Sequence, residues 1–344
     1  MMMKCNSVAP QLSILAFLFL AGFFLTGCGS EERTADRDRS PADPKQIVEI
    51  NTPDFNADSA FQFIADQLAF GPRVPGTESQ LKCRDYFVEQ MTRFGAEVEV
   101  QEFTPRLFES QRSVRCFNVI SRFNPENRNR ILLAAHWDSR YKADHDPDEN
   151  MRDQPVPGAD DGASGVAVLM EVARQLGKNT PSVGVDIVFF DAEDQGEEGN
   201  YETWGVGAQH WSRAISRSRS PRPSYGILLD MVGASNPRFG REGFSVRYAP
   251  DVVDKVWSVA QGLGYGRYFV NQSVDGVIDD HFFVNRIANI PMINIINRPP
   301  GTQTGFVPHW HTVSDDLDVI DKRTLKAVGH TVLEVIFRED AGVL

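Results

Sequence analysis

The chain has 344 residues, of which 41% are hydrophobic, and a formal net charge of −12. This length is enough for one large domain or two small ones with a sizeable core. The acidic balance argues against a nucleic-acid partner, which would require a basic footprint, and no repeat of 20–50 residues indicates a solenoid or a propeller.

Residues 1–27 are predicted to be a lipoprotein signal peptide. Lys4 gives a weakly basic start, and residues 12–25 form an apolar run that is short for a membrane span. The run ends in Leu25-Thr26-Gly27-Cys28, which resembles the bacterial lipobox, where the signal is cut before a lipidated Cys. We therefore expect an acyl anchor on Cys28 that places the protein in the cell envelope, on the periplasmic face of a bacterial membrane or at the cell surface. An ordinary signal peptide and an N-terminal anchor helix are the alternatives.

Residues 28–48 are predicted to be a flexible tether, because this segment is charged, polar and proline-containing. Residues 49–344 are then a single catalytic domain. Two cysteines remain in it, Cys83 in a helical pattern and Cys116 in a strand-like one. An exported protein permits a disulfide, but the sequence does not bring the two within bridging distance, so a disulfide and two buried free thiols remain alternatives.

Helical and strand-like patterns alternate along the catalytic domain. Helices are predicted at residues 58–69, 78–94, 165–176, 208–215, 252–263 and 322–337, and strands at 98–103, 114–120, 131–135, 183–190, 225–229 and 292–296. The alternation predicts an α/β fold, a three-layer sandwich with a central, mostly parallel twisted sheet flanked by helices. Fully apolar strands indicate a sheet buried on both faces. The long loops 140–157 and 196–205 are predicted to be active-site loops.

Histidine and acidic residues follow the ends of several of these strands. His136, Asp138, Glu193, Asp194 and Asp230 follow strands, whereas Asp160 and Asp161 follow a loop and His311 lies in a later loop. In open α/β sheets the ligand crevice lies at the carboxyl ends of the strands. Because a mixture of imidazole and carboxylate suits zinc, the pattern predicts a zinc centre, and an open coordination position would make it catalytic.

The neighbouring residues in the sequence suggest a role for each of these side chains. Asp138 is placed to accept the second N–H of a metal-bound His136, although a core histidine paired with a buried aspartate is the alternative. One acid of Asp160-Asp161 is predicted to cap the following helix while the other binds metal. In Glu193-Asp194, one carboxylate would bind the ion and the other would move protons, which requires a pKa raised by burial.

Other residues near these motifs carry weaker signals. Glu197-Glu198 are read as a solvated acidic loop. Trp204 and Trp310 fall in the loops that would frame the site, where they would supply its apolar walls, although scattered core positions are the alternative. His145, His210 and His330 fit no ligand spacing and are predicted to be structural or on the surface.

From about Phe61 to the C-terminus, the assembled motifs resemble the glutaminyl cyclases (glutaminyl-peptide cyclotransferases) of the zinc aminopeptidase superfamily. The matching segments are residues 135–140 (AHWDSR), 157–163 (PGADDGA), 189–194 (FFDAED), 228–234 (LLDMVGA), 276–281 (GVIDDH) and 310–316 (WHTVSDD). The first three are shared across the superfamily, whereas the segments 276–281 and 310–316 look specific to cyclases.

The resemblance implies a role for each matching residue. It makes Asp161, Asp194 and His311 the ligands of one zinc per chain and Glu193 the general acid and base. It places Asp230 and Asp279 in a proton-sharing network with Glu193, and makes Trp310 and, more loosely, Trp204 walls of the substrate pocket. His136 and Asp138 would lie beyond the zinc ligands or belong to a second metal site.

Two departures from the vertebrate cyclases stand out. They carry Glu-Glu where this chain has Glu193-Asp194, and Asp194 is one methylene shorter, so that the backbone must come closer or the metal must shift. Glu197 reaching in instead is an unfavoured alternative. The vertebrate enzymes also hold a cysteine pair beside the active-site histidine, and Ala135 stands where its first cysteine would be.

The activity that the resemblance implies is cyclisation of an N-terminal glutaminyl residue to pyroglutamate with release of ammonia. Its partners would be peptides or proteins with N-terminal glutamine, and the enzyme is expected to be a monomer. The alternative is a zinc aminopeptidase in which His136, Asp161 and Asp230 hold a second zinc. A binding protein on an inactive peptidase scaffold is a third hypothesis, which the intact Glu193, Asp161 and His311 argue against.

Overall fold

The computed structural model describes residues 50–107 and 112–344. Within the chain, Val48–Leu344 forms one compact unit. The predicted signal peptide, the lipidation site Cys28 and the whole of the predicted tether lie outside the described residues. In the described part, every helix is too short or too polar to cross a membrane.

A six-stranded sheet forms the centre of the fold, in the order β1-β2-β4-β3-β5-β8. Its strands are β1 (Glu97–Phe103), β2 (Cys116–Phe123), β3 (Arg130–His136), β4 (Gly184–Phe190), β5 (Tyr225–Asp230) and β8 (Met292–Ile296). The last four run parallel, and β1 and β2 form an antiparallel edge. The predicted α/β class with a mostly parallel sheet is confirmed.

A second sheet of two parallel strands was not predicted from the sequence. It consists of β6 (Phe239–Glu242) and β7 (Phe269–Val274). Most of β7 is exposed or partly exposed, so it lacks the apolar run by which the central strands were recognised.

Eight α-helices pack around the sheets in the described residues. They are α1 (Ala57–Ala69), α2 (Glu78–Arg93), α3 (Ala163–Leu176), α4 (Val206–Arg217), α5 (Gly243–Tyr248), α6 (Pro250–Gly262), α7 (Asp280–Phe283) and α8 (Lys322–Asp340). The short α5 and α7 were not predicted. Asn56 and Thr77 cap α1 and α2, where their side chains accept the N–H groups of Ser59 and Gln80.

The central strands are buried on both faces because each face packs against a layer of helices. Ile131, Leu133 and Ala135 of β3 belong to the larger core, with residues of α1, α2, α3, α6 and α8. Leu132 and Ala134 point the other way, toward α4 and α7, as the period of two in a strand requires. The carboxyl edge of this buried sheet therefore offers well-defined positions for polar groups.

Cys83 and Cys116 are both buried and free. Of the two alternatives left open by the sequence, the structure therefore favours free thiols. Burial raises the pKa of Cys83 to about 12, which keeps its thiol protonated at neutral pH and makes it a poor nucleophile.

Candidate metal centre and active site

The carboxyl ends of β3, β4 and β5 meet beside a cavity of about 320 Å³. Six of the predicted site residues line this cavity with both predicted tryptophans: Asp161, Glu193, Asp194, Asp230, Asp279, His311, Trp204 and Trp310. His136 and Asp138 are buried at the end of β3 and do not line the cavity. The parallel strand ends thus gather side chains that lie up to 175 residues apart between His136 and His311.

Asp161, Asp194 and His311 form a group whose ligand atoms lie within 4.8 Å of one another. Nε2 of His311 is 2.9 Å from Oδ1 of Asp194 and 3.8 Å from Oδ2 of Asp161. Ligand atoms around a tetrahedral zinc with bonds near 2 Å lie about 3.3 Å apart. The three residues therefore fit a zinc ion in both chemistry and spacing.

A second group shares Asp161 with the first and adds His136 and Asp230. Nε2 of His136 is 3.0 Å from Oδ1 of Asp161 and 3.3 Å from Oδ1 of Asp230. One oxygen of Asp161 thus faces each group, which is the arrangement of a bridging carboxylate. Each group has the residue types and the spacing to hold a metal ion, and Asp161 belongs to both.

The carboxylate of Asp138 fixes the turn that carries Glu193 and Asp194. It accepts the backbone N–H of Glu193 at 3.0 Å, that of Asp194 at 3.1 Å and the amide of Gln195 at 2.8 Å. Its nearest oxygen lies 3.7 Å from Nδ1 of His136, which is longer than a hydrogen bond. Asp138 therefore orients the acidic pair, whereas the sequence suggested that it would orient His136.

Asp315 holds the loop that presents Asp161. Its carboxylate accepts the backbone N–H of Asp160 at 2.7 Å and that of Asp161 at 3.0 Å. The side chain of Asp160 accepts the N–H of Gly233 at 2.7 Å. No side chain caps α3, which begins after Gly162 with φ 102°, so the prediction that one acid caps this helix was wrong. Asp315 lies in a segment quoted for the resemblance, but no role was assigned to it.

The loop 140–157, predicted to be an active-site loop, supports His311. Oδ1 of Asp144 is 3.3 Å from Nδ1 of His311. Arg140 binds both oxygens of Asp144 and donates to the backbone carbonyl of Asp194 at 3.0 Å. Arg140 and Asp144 thereby connect two of the three candidate ligands, a role that the sequence did not indicate, although Arg140 ends the matching segment 135–140.

His145, which was predicted to be structural or on the surface, packs at the rim of the cavity. Its ring lies 4.5 Å from that of Trp310 and 5.7 Å from that of His311, and its Nε2 is 2.9 Å from a carboxylate oxygen of Glu198. Since Glu198 lines the cavity, both residues belong to the surroundings of the site. His145 also forms a candidate metal group with Asp144 and His311, which its spacing in the sequence did not indicate.

The two predicted tryptophans stand at the cavity. The Trp310 ring stacks on His311 at 3.7 Å between ring centroids and on Phe306 at 4.4 Å. Trp204 lies nearly parallel to His311, with 6.3 Å between the ring centroids. Its ring also covers Gly196, where an added Cβ would lie only 2.2 Å from a ring carbon of Trp204. Their rings give the acid-lined cavity apolar walls, which suits a small organic substrate group.

Burial shapes the electrostatics of the acidic cluster. It is the main cause that raises the pKa of Glu193 well above its ordinary value; His136 opposes this, and Asp279 and Asp280 reinforce it. Burial also raises the pKa of Asp230 to about 8, against the hydrogen bond from His136. A buried carboxyl group with a raised pKa can hold and return a proton near neutral pH.

The loop that carries Asp279 is held from behind by Glu242, a residue that the sequence did not single out. The buried Glu242 carboxylate accepts the N–H groups of Ser245 at 2.6 Å and Val277 at 2.8 Å, and it pairs with His281 at 3.0 Å. The Asp279 side chain accepts the amide of Asn294 at 2.5 Å. These bonds fix the side of the cavity that faces the candidate ligands.

The fold and the site together define a protein of the zinc exopeptidase class, with a carboxylate and histidine metal centre at the carboxyl edge of a mostly parallel sheet. Residues 118–336 match the model of peptidase family M28. The chain belongs to peptidase family M28.

Within this class, the most similar proteins include glutaminyl cyclases. The chain is 26% identical over 298 residues to glutaminyl-peptide cyclotransferase of Bos taurus, covering 78% of each chain. The structure of Bacteroides thetaiotaomicron glutaminyl cyclase bound to N-acetylhistamine is 44% identical, with a TM-score of 0.80 over 83% of this chain and 99% of that one. A protein of Parabacteroides distasonis described as a Zn-dependent exopeptidase is 47% identical, with the same TM-score and coverage.

Proposed function

We propose that this protein is a zinc-dependent glutaminyl-peptide cyclotransferase, which converts N-terminal glutamine of peptides to pyroglutamate and releases ammonia. The observation that carries the proposal is the buried Glu193, with its raised pKa, beside the Asp161, Asp194 and His311 group in a tryptophan-walled cavity. The similarity to glutaminyl cyclases over more than four fifths of the chain supports the same activity.

In this reaction the substrate supplies its own nucleophile. The α-amine attacks the γ-carboxamide carbon, the new C–N bond closes the five-membered ring, and the bond to the amide nitrogen breaks. Because both groups belong to one residue, the protein needs only to hold the folded conformer, for which proximity supplies much of the rate. Trp204 and Trp310 wall the cavity and restrict water, which would otherwise compete as the nucleophile.

Proton transfer falls to the acidic cluster. Glu193 accepts a proton from the α-amine and returns it to the departing ammonia. Asp279 is close enough to raise the pKa of Glu193, and it adds to the effect of burial in raising the pKa of Asp230. When bound to Asp161, Asp194 and His311, one zinc per chain would supply a Lewis acid for the γ-carboxamide oxygen.

A paired substrate assay tests the proposal. The enzyme is stripped with a chelator, zinc is added back, and a Gln-peptide and leucine nitroanilide are compared. We expect zinc to restore ammonia release from the Gln-peptide with no nitroaniline from the leucine substrate. Nitroaniline without ammonia would refute the proposal in favour of a peptidase.

The aminopeptidase is retained as a second candidate because of one observation. His136, Asp161 and Asp230 converge as a second candidate metal group that shares Asp161 with the first. A two-metal peptidase would use all five side chains. Zinc analysis of the purified protein separates the candidates, since one ion per chain supports the cyclase and two support the peptidase.

We also propose that the protein is a monomer held in the bacterial cell envelope by a lipid on Cys28. The support for the anchor is the sequence around Cys28, which resembles a lipobox after an apolar run. Mass spectrometry of the N-terminal peptide from membrane fractions tests it. An unmodified Cys28 in the mature protein, or a chain that still begins upstream of it, would refute the anchor.

A further inference from the structure

A smaller polar pocket adjoins the catalytic cavity. It has a volume of about 220 Å³ and lies against the two-stranded sheet β6-β7. Its polar side chains are Arg238, Gln272, Ser273, Asp275 and Arg298. Arg298 lines both this pocket and the catalytic cavity, so the two spaces meet at its side chain.

Backbone contacts hold the two arginines side by side. The N–H of Arg298 donates to the carbonyl of Arg238 at 3.2 Å, and the N–H of Arg238 donates to the side chain of Asn297 at 2.9 Å. The Arg298 guanidinium lies 4.4 Å over the Phe306 ring and donates to the carbonyl of Gly305. Its position is thus set by an aromatic ring and a carbonyl oxygen, and neither neutralises its charge.

Neither arginine forms an ion pair with any residue in the described parts of the chain, although many other arginines there do. Asp275 lines the same pocket beyond ion-pair distance, and burial lowers the pKa of Arg298 against its influence. A half-buried cation without a paired carboxylate favours the binding of an anion, because charge-assisted hydrogen bonds then replace lost hydration.

The charge of the combined cleft is strongly polarised. Acidic side chains dominate the catalytic cavity, and Arg298 is the only lysine or arginine among the described residues that line it. The acidic end suits the α-amino group of a peptide, whose proton it can accept. The arginine end lies at the boundary with the smaller pocket, and one extended residue advances a peptide by only about 3.3–3.6 Å.

We propose that Arg238 and Arg298 form a subsite for a carboxylate of the substrate peptide, carried by a side chain just after the glutamine or by the C-terminus of a short peptide. This inference rests on the proposed cyclase function and specifies its preferred substrates. Arg298 would bind the carboxylate at the exit of the cavity, and the exposed Arg238 would reinforce it.

Matched peptides test the preference. Ammonia release is measured from Gln-Glu-Ala-amide, Gln-Gln-Ala-amide, and Gln-Ala-Ala with either a free or an amidated C-terminus. We expect kcat/KM to be roughly fivefold higher for whichever carboxylate peptide binds, which corresponds to the upper range of a solvent-accessible ion pair. The two carboxylate peptides show which source is used, and the preference should decline with added salt.

Variants assign the preference to the two arginines. Arg298→Gln and Arg238→Gln should each lower the ratio of kcat/KM between carboxylate and neutral peptides toward one. Arg238 is exposed, so its substitution tests the subsite even where Arg298→Gln destabilises the loop at Gly305. Arg241→Gln is the control, because Arg241 pairs with Asp254 and lines neither space, and it should keep the wild-type ratio.

The outcomes separate this inference from the proposed function. Cyclisation of all peptides at equal kcat/KM would overturn the subsite and leave the cyclase intact, as would a preference that survives both arginine substitutions. Cyclisation of none of the peptides would overturn the proposed function itself. A carboxylate preference that is lost in both variants and retained in Arg241→Gln would support the subsite.

Discussion

Substitution of Asp138 by asparagine is the sharpest test of how the acidic pair is positioned. The Asp138 carboxylate accepts three N–H groups, from the backbones of Glu193 and Asp194 and from the side chain of Gln195. Asparagine keeps one oxygen and places an NH₂ group where the other stood. At least one buried N–H then faces a donor, so the turn must move.

The expected loss of stability in Asp138→Asn follows from these hydrogen bonds. A hydrogen bond to a charged group contributes about 1.5–3 kcal/mol, and leaving a buried donor unsatisfied costs about 1–3 kcal/mol. We therefore expect Asp138→Asn to lower the free energy of unfolding by about 2–5 kcal/mol. Displacing the turn also moves Asp194, and loss of such a supporting contact lowers zinc affinity or activity by about 10- to 100-fold.

The assay measures kcat/KM for a Gln-peptide, zinc affinity by chelator competition, and unfolding in urea. Asp186→Asn is the matched control, because Asp186 is a buried carboxylate on β4, the strand that precedes Glu193 and Asp194, and it pairs with Arg130 at the start of β3, far from the carboxyl edge of the sheet. It should lose stability but keep its zinc affinity and kcat/KM. If Asp138→Asn behaves like this control, Asp138 is only structural and the reasoning is refuted.

Three further predictions concern catalysis, packing and pH. Glu193→Gln should bind zinc as the wild type does but lose about 10²- to 10⁴-fold in kcat; turnover near the wild-type level would remove Glu193 from the mechanism. Gly165→Ala should destabilise the fold by about 1–3 kcal/mol in urea unfolding, because its Cβ would lie 2.3 Å from the carbonyl oxygen of Leu229; unchanged stability would contradict this. The third prediction concerns Glu242. Burial by itself would raise the pKa of this residue, but contacts with His281 and N–H groups lower it to about 2. Its contribution to stability is therefore full above the unfolded value near 4.5 and is lost as pH falls toward 2. The stability difference between wild type and Glu242→Gln should shrink over that window, and a difference that does not change with pH would show that the carboxylate is not needed.

The sequence was sufficient for the elements that carry a periodic apolar pattern. The central strands are buried on both faces, so their runs of Val, Ile, Leu and Phe end abruptly at the first polar residue, as at His136 and Asp230. That boundary places a side chain at the carboxyl edge of the sheet, which is why strand ends predicted residues that line the cavity. The exposed β7 has no such boundary and was missed.

The residues that support the site could not be predicted either, because no periodic apolar pattern marks their positions. Asp315, Asp144 and Glu242 lie in loops or at the end of a short strand, and each acts by accepting N–H groups or facing a ring nitrogen from distant segments. Nothing local distinguishes such an acid from one that is solvated. Its role depends on which loop folds against it, and that is decided by tertiary packing.

Asp161 explains why cyclase and peptidase are hard to separate within one family. Its two oxygens face His311 on one side and His136 on the other, at 3.8 and 3.0 Å. A separation near 3 Å suits both a hydrogen bond and two ligands of one ion. Pairing with the His136 ring therefore holds Asp161 where a second ion would hold it. A family with this arrangement can keep the orientation of its shared ligand without the second metal, so the chemistry is decided by what fills the cavity beside Glu193.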